Sequence, residues 1–236
     1  MKFALVDSRI SNIEKENLKK FGLEIICCPT SNLLYDAVCG HPDMLLNIID
    51  KNRLLLHKDT DSKFINKLKK LNFKVILSKN SLKNKYPKDI ILNAVNTKKI
   101  FMHNLKFTDP TLLDLVKNKN LINISQGYSK CSTAIVSPNA VMTSDIKIAK
   151  ILTKNKFDVL LLPPGDILLP GLDYGFIGGC CGLIDEKTIA FYGNLKFYKY
   201  GNEVLQFLNK HNVKPIFLRN DKLIDRGSIL CIENNL

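Results

Sequence analysis

Met44-Leu45-Leu46-Asn47-Ile48-Ile49-Asp50-Lys51-Asn52-Arg53-Leu54-Leu55-Leu56-His57 lies without a gap over Ile90-Ile91-Leu92-Asn93-Ala94-Val95-Asn96-Thr97-Lys98-Lys99-Ile100-Phe101-Met102-His103. Asn47 falls on Asn93, His57 on His103 and, extending the register backwards, Asp43 on Asp89. Each stretch reads as an apolar strand, a tight polar turn and a second apolar strand. An amphipathic helix follows each one. Asp59 to Leu71 places Phe64, Ile65, Leu68 and Leu71 on one face and turns Lys63, Lys67 and Lys70 away. Asp109-Pro110 joins a capping side chain to the proline favoured at the first helical position. With a third strand after the helix, the unit is ββαβ and recurs about every 45 residues, the mark of a repeat architecture.

The same grammar extends outward. A third copy runs from Gly127 through the turn Ser137-Pro138-Asn139 to Val141-Met142-Thr143, a helix opening at Ser144 or Asp145, and a strand from Asp158 to Leu162. A fourth begins at Gly175-Phe176-Ile177-Gly178-Gly179 and turns at Asp185-Glu186-Lys187. It continues through Thr188 to Tyr192, a helix from Glu203 to Lys210 and a strand from Val213 to Leu218. The fifth is divided. Its first strand follows Asp225-Arg226-Gly227-Ser228 and ends at a turn-like Glu233-Asn234-Asn235, whereas its second strand is Lys2 to Val6, its helix Asn12 to Phe21 and its third strand Leu23 to Cys27. Pairing the two chain ends closes a ring and ties down termini that otherwise fray.

Bulk properties agree with one α/β domain over residues 1–236, without a linker or low-complexity tract. No segment has the roughly 18 apolar residues of a membrane span, and the N-terminus lacks secretion-signal features, so a cytoplasmic protein is expected. Seven cysteines without disulfide-framework spacing fit a reducing compartment. The adjacent pairs Cys27-Cys28 and Cys180-Cys181 make poor chelates because neighbouring strand residues face opposite ways, and neither a metal nor another cofactor is called for. The net charge of +13 raises nucleic acid as a partner. Yet only Arg9, Arg53, Arg219 and Arg226 among the 35 basic residues are arginine, the better reader of bases and phosphates, and the lysines sit at solvent-facing helical spacing.

If the five first strands converge on the axis, the residues that precede them crowd one mouth of a central channel. That mouth receives Gly40-His41-Pro42-Asp43, Tyr86-Pro87-Lys88-Asp89, Gly127-Tyr128-Ser129-Lys130-Cys131-Ser132, the glycines with Cys180, and Asp225, Arg226 and Cys231. A nucleophilic cysteine needs a lowered pKa or a nearby base, and a cationic substrate needs carboxylates. Histidine suits proton transfer near neutrality, and on a strand Asp43 would point to the same side as His41. Pro42 biases His41 to an extended backbone; the same His-Pro-Asp also reads as a capping turn. His57 and His103 read as strand-to-helix turn residues, His211 as a helix-end cation, Cys27 and Cys28 as packing residues, and the fourth unit's glycines as sites of close backbone packing.

A ring of five ββαβ units with its last unit split between the termini resembles the pentein fold, a five-fold pseudosymmetric α/β propeller. Guanidino-group modifying enzymes share it with the ribosome anti-association factor of archaea and eukaryotes. Gly40-His41-Pro42-Asp43-Met44, Gln126 to Ser132, Gly175 to Gly179 and Asp225 to Ile229 look like an uncharacterised clostridial family of that fold. The resemblance to arginine deiminase and dimethylarginine hydrolase implies a cysteine attacking the guanidinium carbon, a proton-handling histidine and cation-binding carboxylates. Cys231 stands in the last unit, as their cysteine does, and Asp43 and Asp89 stand where those enzymes carry acidic residues. Their histidine comes about two units before the cysteine, where this chain has Tyr128 and Lys130. His41 and Cys131 recover the two-unit separation in an order shifted round the ring.

The expectation is a cysteine-dependent hydrolase or transferase acting on a small cationic guanidino or amidino compound, without metal or other cofactor. His41 would move protons, Cys131 or Cys231 would attack, and Asp43, Asp89, Lys130 and Asp225 would contact substrate. The alternative is a noncatalytic binding protein whose lysines meet the ribosome or another macromolecule, which the lysine-over-arginine balance leaves the less favoured.

Overall fold

The computed structural model describes residues 1–234. Among them are five three-stranded sheets, each with its second strand in the middle, antiparallel to the first and parallel to the third. The first unit contains β3 (Leu46–Ile48), β4 (Arg53–Leu56), α3 (Ser62–Lys70) and β5 (Lys74–Leu77), and the second β6 (Val95–Asn96), β7 (Ile100–His103), α4 (Pro110–Val116) and β8 (Asn120–Asn123). In the third are β9 (Thr133–Ser137), β10 (Ala140–Thr143), α5 (Ile146–Lys154) and β11 (Asp158–Leu161). The fourth has β12 (Cys181–Asp185), β13 (Thr188–Phe191), α6 (Gly201–Lys210) and β14 (Lys214–Phe217), with a short 3₁₀ turn before α6. β15 (Leu230–Glu233) opens the fifth, which continues at the other end of the chain as β1 (Lys2–Asp7), α1 (Asn12–Lys19) and β2 (Leu23–Cys28).

The fifth sheet joins the chain ends. Lys2 pairs with Glu233 and Leu5 with Leu230, and the terminal amine of Met1 donates to the Asn234 carbonyl at 2.8 Å. Of the turn expected at Glu233 to Asn235, Asn235 lies outside the described residues.

Second strands are apolar without interruption because both their faces are covered, so alternate side chains serve two neighbouring units. From β1, Phe3 and Leu5 enter the core shared with the first two units, whereas Ala4 and Val6 pack with Ile184, Ala190 and Tyr192 of the fourth. β10 does the same: Val141 joins Ile100, Met102 and Ile122 of the second unit, and Ala140 and Met142 join Ile189 and Phe191 of the fourth. Four apolar clusters thus bridge successive units, including the pair that brings fifth and first together.

Helix starts follow local chemistry. Ser11 and Glu14 form a reciprocal capping box for α1, while Asp61, Asp109 and Asp145 accept first-turn amides of α3, α4 and α5. Asp145 is therefore the cap of the third helix, and α3 starts later than Asp59 because Asp61 takes that role. Gly22, Asn72, Lys156 and Asn212 have positive φ just after the helices of four units, a backbone echo of the repeat.

One register departs from the sequence alignment. The ladders pair Leu46 with Leu56 and Val95 with Met102, so Asn47 is the spatial counterpart of Asn96, not of Asn93. The hairpin of the second unit is three residues shorter, which displaces its first strand against the ungapped register. Asn93 is released from the ladder for another use.

Residues of all five first strands line a central cavity of about 150 Å³, with Asp43 and Lys130 also in its wall. No helix among the described residues is long and apolar enough to cross a membrane.

Candidate functional site

Proline starts the first part of the site. Pro42 opens a one-turn helix, α2 (Pro42–Leu45), and His41 precedes it with an extended backbone (φ −65°, ψ 117°). Asp43 consequently lies on a helical turn and His41 just before it, not both on the strand that their spacing suggested, and both are buried. The Asp43 amide donates to the Gly227 carbonyl at 3.2 Å, tying this turn to the fifth unit.

The fifth unit approaches through Asp225 to Ser228. Asp225 Oδ1 accepts from the Gly227 amide at 3.0 Å and Oδ2 from the Phe176 amide at 2.9 Å. Gly227 has φ +70°, and a Cβ placed there would stand 2.2 Å from that of His41. Gly179 lies against the Asp225 carboxylate, where a Cβ would be 2.0 Å from Oδ1. These glycines admit close approach, the role expected of those in the fourth unit.

Asn93, freed from its strand, organises the third contribution. Its Oδ1 accepts from the amides of Lys130 (2.9 Å) and Cys131 (3.3 Å), and its Nδ2 is shared among the Asp43 carbonyl, Met44 Sδ and Cys131 Sγ at 3.1–3.2 Å. Cys131 Sγ donates to Asp43 Oδ2 at 3.3 Å. Ser228, also at positive φ (72°), sets its hydroxyl 2.7 Å from both Asp43 Oδ2 and the Gly178 carbonyl and accepts from Lys130 Nζ at 2.8 Å. One hydroxyl proton thus serves two acceptors, and Ser228 connects the buried carboxylate to the lysine.

The mouth is aromatic. Tyr128 donates to Asp89 Oδ2 at 2.5 Å, meets the Tyr35 hydroxyl at 3.5 Å and stacks on Phe176 with ring centroids 6.4 Å apart. Tyr86 flanks Tyr128 at 6.1 Å.

His41, Asp43, Lys130, Cys131 and Asp225 therefore form one cluster, of which Asp43 and Lys130 line the cavity, and Asp89 is held by Tyr128. Cys231 lies elsewhere on the cavity wall, in β15, and packs partly against the core between the fourth and fifth units. Its thiol has no hydrogen bond among the described residues. Among the described residues neither ring nitrogen of His41 has a hydrogen-bond partner; Nδ1 lies 3.7 Å from Asp225 Oδ1, beyond hydrogen-bonding reach. Asn93 and Ser228 were not singled out by sequence. The Asn93 identity in the repeat was visible but carried the wrong spatial partner, and a serine beside a glycine gives no signal of its own.

Electrostatics at the centre oppose an ionised thiol. Burial, then the Asp43 and Asp225 carboxylates, raise Cys131 well above its ordinary range, with the Asn93 amide acting the other way. Burial likewise pushes Cys231 up to about 12. Asp225 is raised by burial against the counteracting charge of His41, and Asp89 by burial against its Tyr128 bond. A cation entering here would reverse these trends, since opposite charge favours every ionised carboxylate and the thiolate together. Among the described residues no group of three histidine, cysteine or carboxylate side chains has metal-binding geometry.

Residues 5–230 match the model of a family of unknown function, DUF6873. The chain belongs to this family. No curated protein matches the DUF6873 chain. Solved structures similar to it include an amidinotransferase of the saxitoxin pathway from Microseira wollei, at 10% identity and TM-score 0.55 over 91% of this chain and 87% of that one. Inosamine-phosphate amidinotransferase from Streptomyces griseus matches at 9% identity and TM-score 0.57, over 88% and 73%. Agmatine deiminase from C. jejuni with substrate bound matches at 15% identity and TM-score 0.52, over 96% and 81%. These neighbours are pentein enzymes, and the DUF6873 chain has the pentein fold with its five pseudosymmetric units.

Proposed function

We propose that this DUF6873 protein binds a small guanidino or amidino cation at the acidic end of its channel and modifies it through a cysteine. The supporting observation is a concentration of buried polar atoms without partners among the described residues: both nitrogens of His41, Oδ1 of Asp43 and Oδ1 of Asp89. Such atoms are costly unless something pairs with them, and a donor-rich planar cation supplies bonds to carboxylates. Asp43, Asp89 and Asp225 outweigh the charge of Lys130. Of this cluster Asp43 and Lys130 line the cavity, whose volume of about 150 Å³ is that of a small head group.

In this reading Cys131 is the nucleophile, because it already donates to Asp43, whereas Cys231 has no proton acceptor at hydrogen-bond distance among the described residues. The bound cation lowers the thiol's pKa, the thiol proton passes to Asp43, and Sγ bonds to the guanidinium carbon. His41 gives a proton to the departing amine. Water then attacks the same carbon and returns a proton to His41, while the C–S bond breaks and Sγ recovers its proton from Asp43; a second amine in place of water makes the protein a transferase. We take the uncharacterised clostridial family that the loop motifs resemble to be this same family of unknown function.

One observation favours a second reading, binding without turnover: among the described residues the Cys131 thiol has no imidazole at hydrogen-bond distance. A panel of guanidino and amidino compounds, followed by calorimetry and product analysis, separates the two. Binding with turnover that Cys131→Ala abolishes and Cys231→Ala spares supports the enzyme. Binding without turnover supports the ligand-binding protein, and neither binding nor turnover across the panel overturns both.

A further inference from the structure

Asn93 lies just before β6, fully buried, and its side chain is oriented from two directions. Asn47 Nδ2 donates to the carbonyls on either side of it, Leu92 at 3.2 Å and Ala94 at 3.0 Å, and Asn96 Nδ2 donates to Asn47 Oδ1 at 3.0 Å. From the other direction come the amides of Lys130 and Cys131. A backbone amide can only donate, so the side-chain oxygen of Asn93 must face these two amides and its nitrogen must face the Cys131 sulfur.

The two protons on Asn93 Nδ2 meet three acceptors: the Asp43 carbonyl, Met44 Sδ and Cys131 Sγ. A carbonyl is a full acceptor, whereas a thioether and a neutral thiol are weak ones. One N–H is therefore well used at rest, and the other is loosely held between two sulfurs. Cys131 Sγ receives from Asn93 and gives to Asp43, and it has no other hydrogen-bond partner among the described residues.

We infer that Asn93 is a further catalytic residue: the N–H loosely held at rest bonds fully to Cys131 Sγ once the thiol proton has left for Asp43 Oδ2. The inference rests on the reading of Cys131 as the nucleophile. In that step the S–H bond breaks and an O–H bond forms on Asp43, while the Asn93 N–H bond stays intact and only its acceptor changes character. A thiolate accepts far more strongly than a thiol, so the contact strengthens as charge develops on sulfur, and an interaction that grows along the reaction speeds it. The donor already stands 3.1 Å from Sγ, so no reorganisation precedes the step. Asn93 thereby offsets part of the opposition that Asp43 and Asp225 present to the thiolate.

Alkylation of the full chain by iodoacetamide, followed by peptide mass spectrometry across a range of pH, reads the Cys131 thiolate without any substrate. Asn93→Ala removes the N–H and adds no charge, but it also removes the acceptor of two amides; Asn93→Asp keeps that acceptor and exchanges the donor nitrogen for oxygen. Losing a hydrogen bond to a charged atom depletes the thiolate, and the greater nucleophilicity of a more basic thiolate restores part of the rate. Each variant should therefore label Cys131 about three- to fifteenfold more slowly at neutral pH, with its rate rising only at higher pH. Cys28 and Cys180, both fully buried, report loosening of the fold in the same digest. Should Asn93→Ala label them as well, Asn93→Ser, neutral and one atom shorter than asparagine, takes its place. If Asn93 only braces the loops, the neutral variant frees Cys131 and labels it faster, and Asn93→Asp leaves it unchanged. Either result overturns the inference, as does slowing in Asn93→Asp alone, which assigns the effect to the added charge. Slower labelling in both variants, with no turnover across the guanidino and amidino panel, would leave the thiolate contact standing and remove the reaction it serves, so the two failures are distinguishable.

Discussion

Cys131 Sγ donates a hydrogen bond to Asp43 Oδ2 across 3.3 Å, a thiol held by a carboxylate 88 residues away in the chain. A carboxylate accepts from a thiol but repels a thiolate, so the resting protein keeps this sulfur protonated. Alkylation followed by peptide mass spectrometry should find Cys131 far slower than the partly exposed Cys27 and Cys39 at neutral pH. Asp43→Asn removes the repulsion and should speed labelling of Cys131; unchanged or slower labelling would refute the electrostatic account.

Asn93 holds three segments together through one amide. Asn93→Ala strands the amides of Lys130 and Cys131 without their acceptor in a buried setting. A loss of about 2–4 kcal/mol is expected in urea unfolding, from buried donors left unpaired. Asn96→Ala, at the true spatial counterpart of Asn47, should cost less because Asn96 is only partly buried.

Stability should fall in acid. Burial lowers His57 and His103 from about 6.5 to about 4, so below 6.5 the unfolded chain takes up protons that the folded chain refuses. Their contribution is complete above pH 6.5 and is lost as pH falls towards 4, by up to about 3 kcal/mol for the fully buried His103. The raised Asp89 and Asp225 act in the opposite direction, since folding favours their protonated forms and their contribution fades as pH rises. Unfolding free energies measured across this range should show a shallower slope in His103→Gln.

Ring closure predicts tolerance of new ends. Met1 already touches Asn234, so a short linker joining the termini, with new ends opened in the Asp185–Thr188 hairpin, should preserve the circular-dichroism spectrum and cooperative unfolding. Deleting residues 230–236 strips the antiparallel partner from β1 and should abolish cooperative unfolding.

The ββαβ period, the divided fifth unit, the Asp109 cap and the apolar second strands were all legible in residue order, whereas the third helix read as opening at either Ser144 or Asp145. They depend on interactions within about a dozen residues or on apolar alternation, which a sequence displays directly. The alignment misled at one point. An ungapped match cannot show that one hairpin is three residues shorter, so Asn93 was paired with Asn47 while the fold gives that place to Asn96.

Sequence alone determined that five units form a ring and that their leading segments, rich in carboxylates, thiols and one histidine, meet at its mouth. Only tertiary structure decided which of those groups touch. It put Cys131 on Asp43, His41 beside Asp225, Ser228 between Asp43 and Lys130, and Cys231 apart on the channel wall. The physical reason is that strand order follows from local periodicity, whereas a contact of 3 Å depends on one-residue turns, left-handed glycine and serine φ angles and the length of a neighbouring hairpin. Each of these moves a side chain by more than the reach of a hydrogen bond.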